Sequence, residues 1–494
     1  MDTFYLIWRN QYIRRLIRNI QCRDLLISVK DEYLNDNHQH LSLFTAQNKL
    51  DFNISIGYTD TFERYIANQH RNLVNVLSIL EGDLDLEQLE GGHVQKLSLK
   101  INNDTKICGR LPQSLTYLNI YLKYGQNPPV GQHLLDNLPT SLKTLHLPFH
   151  YIPTSKWIVP DTLTNLDYES SFQSLQWLVV PDNRVFKNCV LEIDDSPQEA
   201  FEWLHKNKWV NNIKIRCEFT ASTIPSHVKT ISIKDNCEAN LLPSTLQSLS
   251  HLALKSLDLL SCPIELKHNV LPKSLERLSI DDYGLPLQPG VLPPNLHTLY
   301  LSGFNHPLAI GTLPNSLTKL RIGSYNQPLL PFVLPNKLKK LRMFSYKQPS
   351  IGPDTLPSSL VLLDIASFTG TLESFCQPLP LLHKLIINSY NQSLALLLTK
   401  TKRLVLWLKT IPNPQKDGTC LNLINTSIES LHLSCSMKSI LYPKTLPSTL
   451  KYLTLYNVNI KSKGVLPTSC IYLKSVNQTI NPDLIPNSVT YIKK

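Results

Sequence analysis

Between Val270 and Pro357 the chain repeats one phrase four times: VLPKSLERLSIDDYGLPLQPG, VLPPNLHTLYLSGFNHPLAIG, TLPNSLTKLRIGSYNQPLLPF and VLPNKLKKLRMFSYKQPSIG. The Leu-Pro pairs begin at Leu271, Leu292, Leu313 and Leu334, a period of 21 residues, and the next step, to Leu356, is 22. A fixed period of this size means that each copy is one turn of chain that cannot bury its apolar face alone. Successive copies must stack, so length counts coils rather than globular domains.

The copy beginning at Leu313 shows what one turn encodes. Leu317, Leu320 and Ile322 follow the L-x-x-L-x-L spacing of a leucine-rich-repeat strand. Leu320 and Ile322 are two apart and share one face of that strand, which puts Lys319 and Arg321 on the other. Leu-Pro just upstream fixes φ at the proline and drives the residue before it toward extended backbone, so each coil is punctuated before its strand begins. An aromatic and Asn-x-Pro follow the strand, as in Phe304-Asn305-His306-Pro307 and Tyr325-Asn326-Gln327-Pro328. At one station in successive coils the aromatics are expected to form a buried spine. The Asn amides are expected to satisfy backbone groups that a turn leaves unpaired, which is a structural role.

The unit L-P-x-x-L-x-x-L-x-L-x-x-x-[FY]-N-Q-P-L resembles the FNIP repeat, a relative of the leucine-rich repeat. The match is nearly complete at Leu292–Leu308 and Leu313–Leu329, and partial at Leu271 and Leu334. Tyr390-Asn391-Gln392-Ser393-Leu394 keeps the tail of the motif without its proline. The resemblance implies a solenoid interaction protein and brings no activity with it. The expected fold is therefore a repeat solenoid: a leucine-rich-repeat-like stack of short parallel β-strands, about 20 coils of roughly 21–22 residues, with an N-terminal α-helical cap.

Composition agrees with a packed array. Apolar residues are 42% and charged residues 18%, too apolar for a disordered chain, and 34 Pro against 16 Gly fits punctuated coils. The formal charge of +11 permits an anionic partner but is modest for a long surface. The ten Cys form no C-x-x-C pair, so they are expected to be reduced thiols in a cytoplasmic protein. No apolar run approaches the roughly 18 residues that a membrane-spanning helix needs.

Two regions follow from a pass along the chain. Residues 1–90 read as a helical capping region. One helix is expected over Thr3–Gln21, with Tyr5, Trp8, Tyr12, Ile13, Leu16, Ile17 and Ile20 on one side and Arg14, Arg15 and Arg18 on the other. A second is expected over Thr61–Leu80, with Asp60 as its cap and Glu63 at the capping-box position. The segment Phe4–Ile20 is also similar to the N-terminal part of FNIP-repeat proteins, some of which carry an F-box-like element there. Residues 91–494 read as the repeat solenoid, opening on a strand at Val94, Leu97 and Leu99. Ser196-Pro197-Gln198-Glu199 opens a helical insertion near 196–209 that replaces part of one coil, with Glu199 at a capping-box position. A strand is expected at Leu246 and Leu249, and the chain ends on a last strand whose Lys493 and Lys494 blunt an open edge.

No Walker A loop, G-x-G-x-x-G, H-E-x-x-H or G-x-S-x-G occurs, and the fifteen His are dispersed, so no catalytic residue, metal or cofactor is expected. The candidate site comes from stacking. With strands in register, Lys319, Arg321, Lys340 and Arg342 form a four-charge cluster flanked by Tyr300 and Phe344, with Lys384 farther on. Adjacent like charges repel, which points to an acidic or phosphorylated partner. Three functions fit these observations. The first is a non-enzymatic scaffold that binds a protein partner along the solenoid face. The second is an F-box-like adaptor in which residues 1–90 recruit a ubiquitin-ligase subunit while the repeats hold a substrate. The third is an anion or RNA binder acting through the basic patch.

Overall fold

The structure is a computed structural model. It describes residues 10–123, 126–149, 151–181, 184–194, 196–217, 219, 223–234, 249–373, 376, 379–413, 421–489 and, for the backbone, 491–493. The chain divides into two compact units, Met1–Cys217 and Glu218–Lys494.

In the first unit nine strands among the described residues form one parallel ladder, each paired with the next of the nine. They are Leu26–Val29, Ser55–Asp60, Val76–Ile79, Lys96–Ile101, Tyr117–Leu122, Thr144–His146, Asn165–Ser171, Cys189–Ile193 and Asn212–Ile215. The ladder thus starts well before Val94, and strands lie on both sides of the boundary expected at 91. Helices are present in this region as expected, at Gln11–Gln21, Asp31–Leu41, Ala46–Asp51 and Phe62–Ala67, but they alternate with strands.

The first helix begins where Asn10 Oδ1 accepts the backbone N–H groups of Tyr12 and Ile13. Residues 3–9 of the expected helix lie outside the described residues. The second expected helix is corrected at both ends. Its cap is Thr61, whose side chain accepts the Arg64 N–H, not Asp60. It stops at Ala67 because Asn68 turns extended, and its amide donates to Asp31 Oδ1 at 2.8 Å. Val76–Ile79 is a strand instead. Leu73, Val76, Leu77 and Leu80 suit a helical stripe, but Leu77 and Ile79 also alternate, and pairing with Ser55–Asp60 and Lys96–Ile101 selects the strand.

The helix expected near 196–209 runs Pro197–Lys206, with Phe201 and Leu204 buried. It forms no side-chain cap, so the capping box read at Ser196 and Glu199 is absent. Leu191 and Ile213 are register partners 22 residues apart. The helix is therefore the return path of a coil of ordinary length, not an addition to it.

In the second unit thirteen strands form a parallel ladder among the described residues: Thr230–Ile233, Ser256–Ser261, Arg277–Asp282, Thr298–Leu301, Lys319–Ile322, Lys340–Arg342, Leu362–Ile365, Lys384–Ile387, Arg403–Leu408, Ser430–Leu441, Tyr452–Ile460, Tyr472–Val476 and Tyr491–Lys493. Of the strand expected at Leu246 and Leu249, only Leu249 is among the described residues and it lies outside any strand; the strand before the clean copies is Ser256–Ser261, whose Leu257 and Leu259 fill the core. Leu246 and the side chains of Lys493 and Lys494 lie outside the described residues.

Each clean coil is built the same way. The proline carbonyl of Leu-Pro accepts the N–H three residues on, as in Leu296 to Pro293, Leu317 to Pro314 and Leu338 to Pro335, at 3.0–3.1 Å. The tight turn brings in the buried leucine that opens the strand. In two of these coils, at Ser274 and Ser316, and also at Ser359 before Leu360 and Ser469 before Cys470, the residue before that position donates its hydroxyl to a carbonyl of the preceding coil. Ser274 bonds Leu254, Ser316 bonds Leu296, Ser359 bonds Leu338 and Ser469 bonds Leu450, all at 2.7 Å.

Behind the strands the expected spine is present. Tyr283, Phe304, Tyr325, Tyr346 and Phe368 are fully buried and stacked in series, with centroids 6.4, 6.2, 6.3 and 5.9 Å apart. The Asn residues bond across coils: Asn305 Oδ1 accepts the Asn326 N–H, and Asn326 Oδ1 accepts the Lys347 N–H, both at 2.8 Å. Gln327 and Gln348 amides donate back to the Asn305 and Asn326 carbonyls.

Candidate binding face

The strand face opposite the core of the second unit carries the residues singled out from the sequence. Lys319 pairs directly with Lys340 and Arg321 with Arg342, while Tyr300 lies opposite Arg321. Lys319, Arg321 and Lys340 are exposed, and Tyr300, Arg342 and Phe344 are half-buried. The register expected from the 21-residue period is the register found.

The surroundings differ from the expected picture of an unneutralised cluster. Asp364 is the register partner of Arg342, and its Oδ2 lies 4.0 Å from Arg342 Nε. Burial raises the pKa of the Asp364 carboxyl, against the opposing pull of Arg342 and Lys384. The two aromatics also have partners: the Arg277 guanidinium lies over Tyr300 at 4.8 Å from the ring centroid, and Arg321 over Phe344 at 4.9 Å. Asp364 escaped the sequence reading because its coil follows the 22-residue step, after the clean copies end. Its signal was the register itself, extended one strand farther.

At and just before other strands of this unit opposite charges meet. Lys255 bonds Glu276 at 2.6 Å, Arg277 approaches Asp258 at 3.5 Å, and Glu429 is held between Lys402 and Lys451 at 2.6 and 3.1 Å. Among the described residues no acidic side chain comes within ion-pair distance of Lys319, Lys340 or Arg321. In the same row as Lys319 and Lys340, the register continues through Leu362, Lys384 and Arg403 to Ser430 and Tyr452. Trp407, Tyr452 and Tyr456 are exposed on this face as well. The sequence reading missed them because it stopped at the clean repeats, although each sits at an outward strand position.

The first unit treats its charges differently. Lys214 lies between Glu169 and Glu192 at 2.5 and 3.4 Å, Arg216 reaches Glu192 at 2.6 Å, and His146 meets Asp167 at 2.8 Å. No helix among the described residues is long and apolar enough to cross a membrane.

Residues 261–303 and 304–346 match the FNIP Repeat family. An FNIP repeat-containing protein of Acanthamoeba polyphaga mimivirus is 22% identical over 236 residues, 43% of this chain and 52% of the relative. The chain thus spans about half the length of the curated relative it matches. Among solved structures it is similar to CroV588, described as a novel circular LRR protein, at 19% identity over 88% of this chain and 68% of that one, with a TM-score of 0.40. It is also similar to YopM from Yersinia enterocolitica, at 19% identity over 81% and 87% of the two chains, with a TM-score of 0.30. The matched segments carry Tyr283, Phe304, Tyr325 and Tyr346 of the spine with Asn305 and Asn326 of the ladder, and over residues 261–346 the chain is built of FNIP repeats.

Proposed function

We propose that this protein is a non-enzymatic scaffold that binds a protein partner on the outward strand face of Glu218–Lys494. One observation carries the reading: successive coils present the same outward positions in register, with uncompensated cations at Lys319, Arg321 and Lys340 and, several strands farther along the same face, exposed Trp407, Tyr452 and Tyr456. Such a face offers repeated, evenly spaced contact points, which is how stacked-repeat proteins build extended binding surfaces. Exposed Trp, Tyr and Arg are residue types enriched in protein–protein contacts.

The test is capture of partners from cells by the full chain, compared with two variants. Trp407→Ser with Tyr452→Ser alters the strand face, and Ile310→Ser alters an exposed turn away from it. A partner held by the parent chain and by Ile310→Ser, and lost from the face variant, is the expected result. A chain that captures nothing, or a partner lost equally from both variants, removes the strand face from the function.

A further inference from the structure

Resting on that reading of the face as a protein-binding surface, we infer that its partner docks an acidic, extended segment across the strands over Lys319 and Lys340. The inference starts from a cost built into the fold. Neighbouring strands lie about 4.8 Å apart, and like charges directly opposite each other destabilise a ladder. Lys319 and Lys340 are in that relation, with Arg321 and Arg342 beside them. Elsewhere in the unit several cations have acids beside them, Glu276 at Lys255, Asp258 at Arg277 and Glu429 at Lys402 and Lys451, whereas Lys384 and Arg403 in the Lys319 row have no ion-pair partner among the described residues. In the central patch Asp364 lies beside Arg342 and also feels Lys384 and Arg321. Carboxylates supplied from outside would offset this repulsion along the row.

The chemistry of the patch separates an acidic peptide from a nucleic acid. Single-stranded nucleic acid is held by bases stacking on open aromatic rings. Here the Tyr300 and Phe344 rings each carry a guanidinium, from Arg277 and Arg321, which occupies a stacking face. The two arginines best suited to fork a phosphate are thereby held, Arg321 on a ring and Arg342 beside Asp364. What stands free are lysines, compact point charges on flexible stems that meet carboxylates one at a time.

The row also describes the segment. Lys319, Lys340, Leu362, Lys384 and Arg403 occupy successive strands at one register position. Five strands span roughly 19 Å, the reach of about six extended residues. Leu362 sits at the centre of the row, so the matching segment places an apolar residue between acidic ones.

Fluorescence anisotropy with the full chain tests this, using a fluorescein-labelled peptide of alternating Glu and Leu, and oligothymidylate as the competing anion. Expected is salt-sensitive peptide binding that Lys319→Gln with Lys340→Gln weakens roughly tenfold, the loss of two exposed ion pairs. The charge-matched control, Lys267→Gln with Lys463→Gln, keeps the parent affinity. Equal loss in both double variants, no peptide binding, or loss confined to oligothymidylate overturns the inference. The same face-patch variant in the partner-capture experiment separates the two readings. A partner retained in full by Lys319→Gln with Lys340→Gln leaves the scaffold standing and rejects the acidic segment, whereas a chain that captures no partner rejects the scaffold itself.

Discussion

Tyr325 touches Phe304 on one side and Tyr346 on the other, with ring planes within 6° of parallel, and no part of it reaches solvent. Its hydroxyl lies 3.5 Å from the Pro328 carbonyl, a weak bond at best. Nearly all its contribution is therefore packing. Tyr325→Ala should cost about 3–5 kcal/mol, the range for emptying a large aromatic site, and Tyr325→Phe less than about 1 kcal/mol, read from denaturant unfolding. Equal losses in the two variants would show that the hydroxyl, not the ring, is what matters. The ring was legible in the sequence as an aromatic recurring every 21 residues. Ser316 was not: its bond to the Leu296 carbonyl crosses to another coil, and the reading of L-P-x-x-L treated that position as free.

At the scale of the element, the spine behaves as a unit. Burial pushes the Tyr283, Tyr325 and Tyr346 hydroxyls up to about 12 from an ordinary value near 10. An acid whose folded pKa lies above its unfolded one binds more protons in the fold, so its stabilisation is present below about pH 10 and lost as pH rises toward 12. Replacing Tyr283, Tyr325 and Tyr346 together by Phe should flatten the fall in melting temperature between about pH 10 and 12 relative to the parent chain. An unchanged slope would assign that alkaline loss to other groups. Strand elements were legible wherever the period was clean. Val76–Ile79 was not, because its apolar residues satisfy a helical and an alternating pattern at once, and only the neighbouring strands choose between them. The helix Pro197–Lys206 was legible from its proline and apolar side chains, but its place as an ordinary return path needed the pairing of Leu191 with Ile213.

For the whole molecule, the formal charge of +11 gives a measurable consequence. Repulsion within the lysine and arginine rows is screened over about 10 Å at 0.1 M salt, so the melting temperature should rise as salt is added from low ionic strength. Lys319→Gln with Lys340→Gln should raise the low-salt melting temperature and reduce that dependence. A double variant as salt-sensitive as the parent would show that the opposed lysines contribute no repulsion. Period, strand spacing, core face, aromatic spine and the rows holding Tyr300, Lys319, Arg321, Lys340 and Arg342 were all determined by the sequence alone. The reason is that a coil's partner is its neighbour 21 residues away, so local repetition already implies the long-range contact. The tertiary structure alone decided where the ladder begins and which cations are compensated. In the irregular N-terminal stretch two periods compete, and strand pairing breaks the tie. On the face, whether Arg342 finds Asp364 or Arg321 finds Phe344 depends on how far a side chain reaches across strands, which no period encodes.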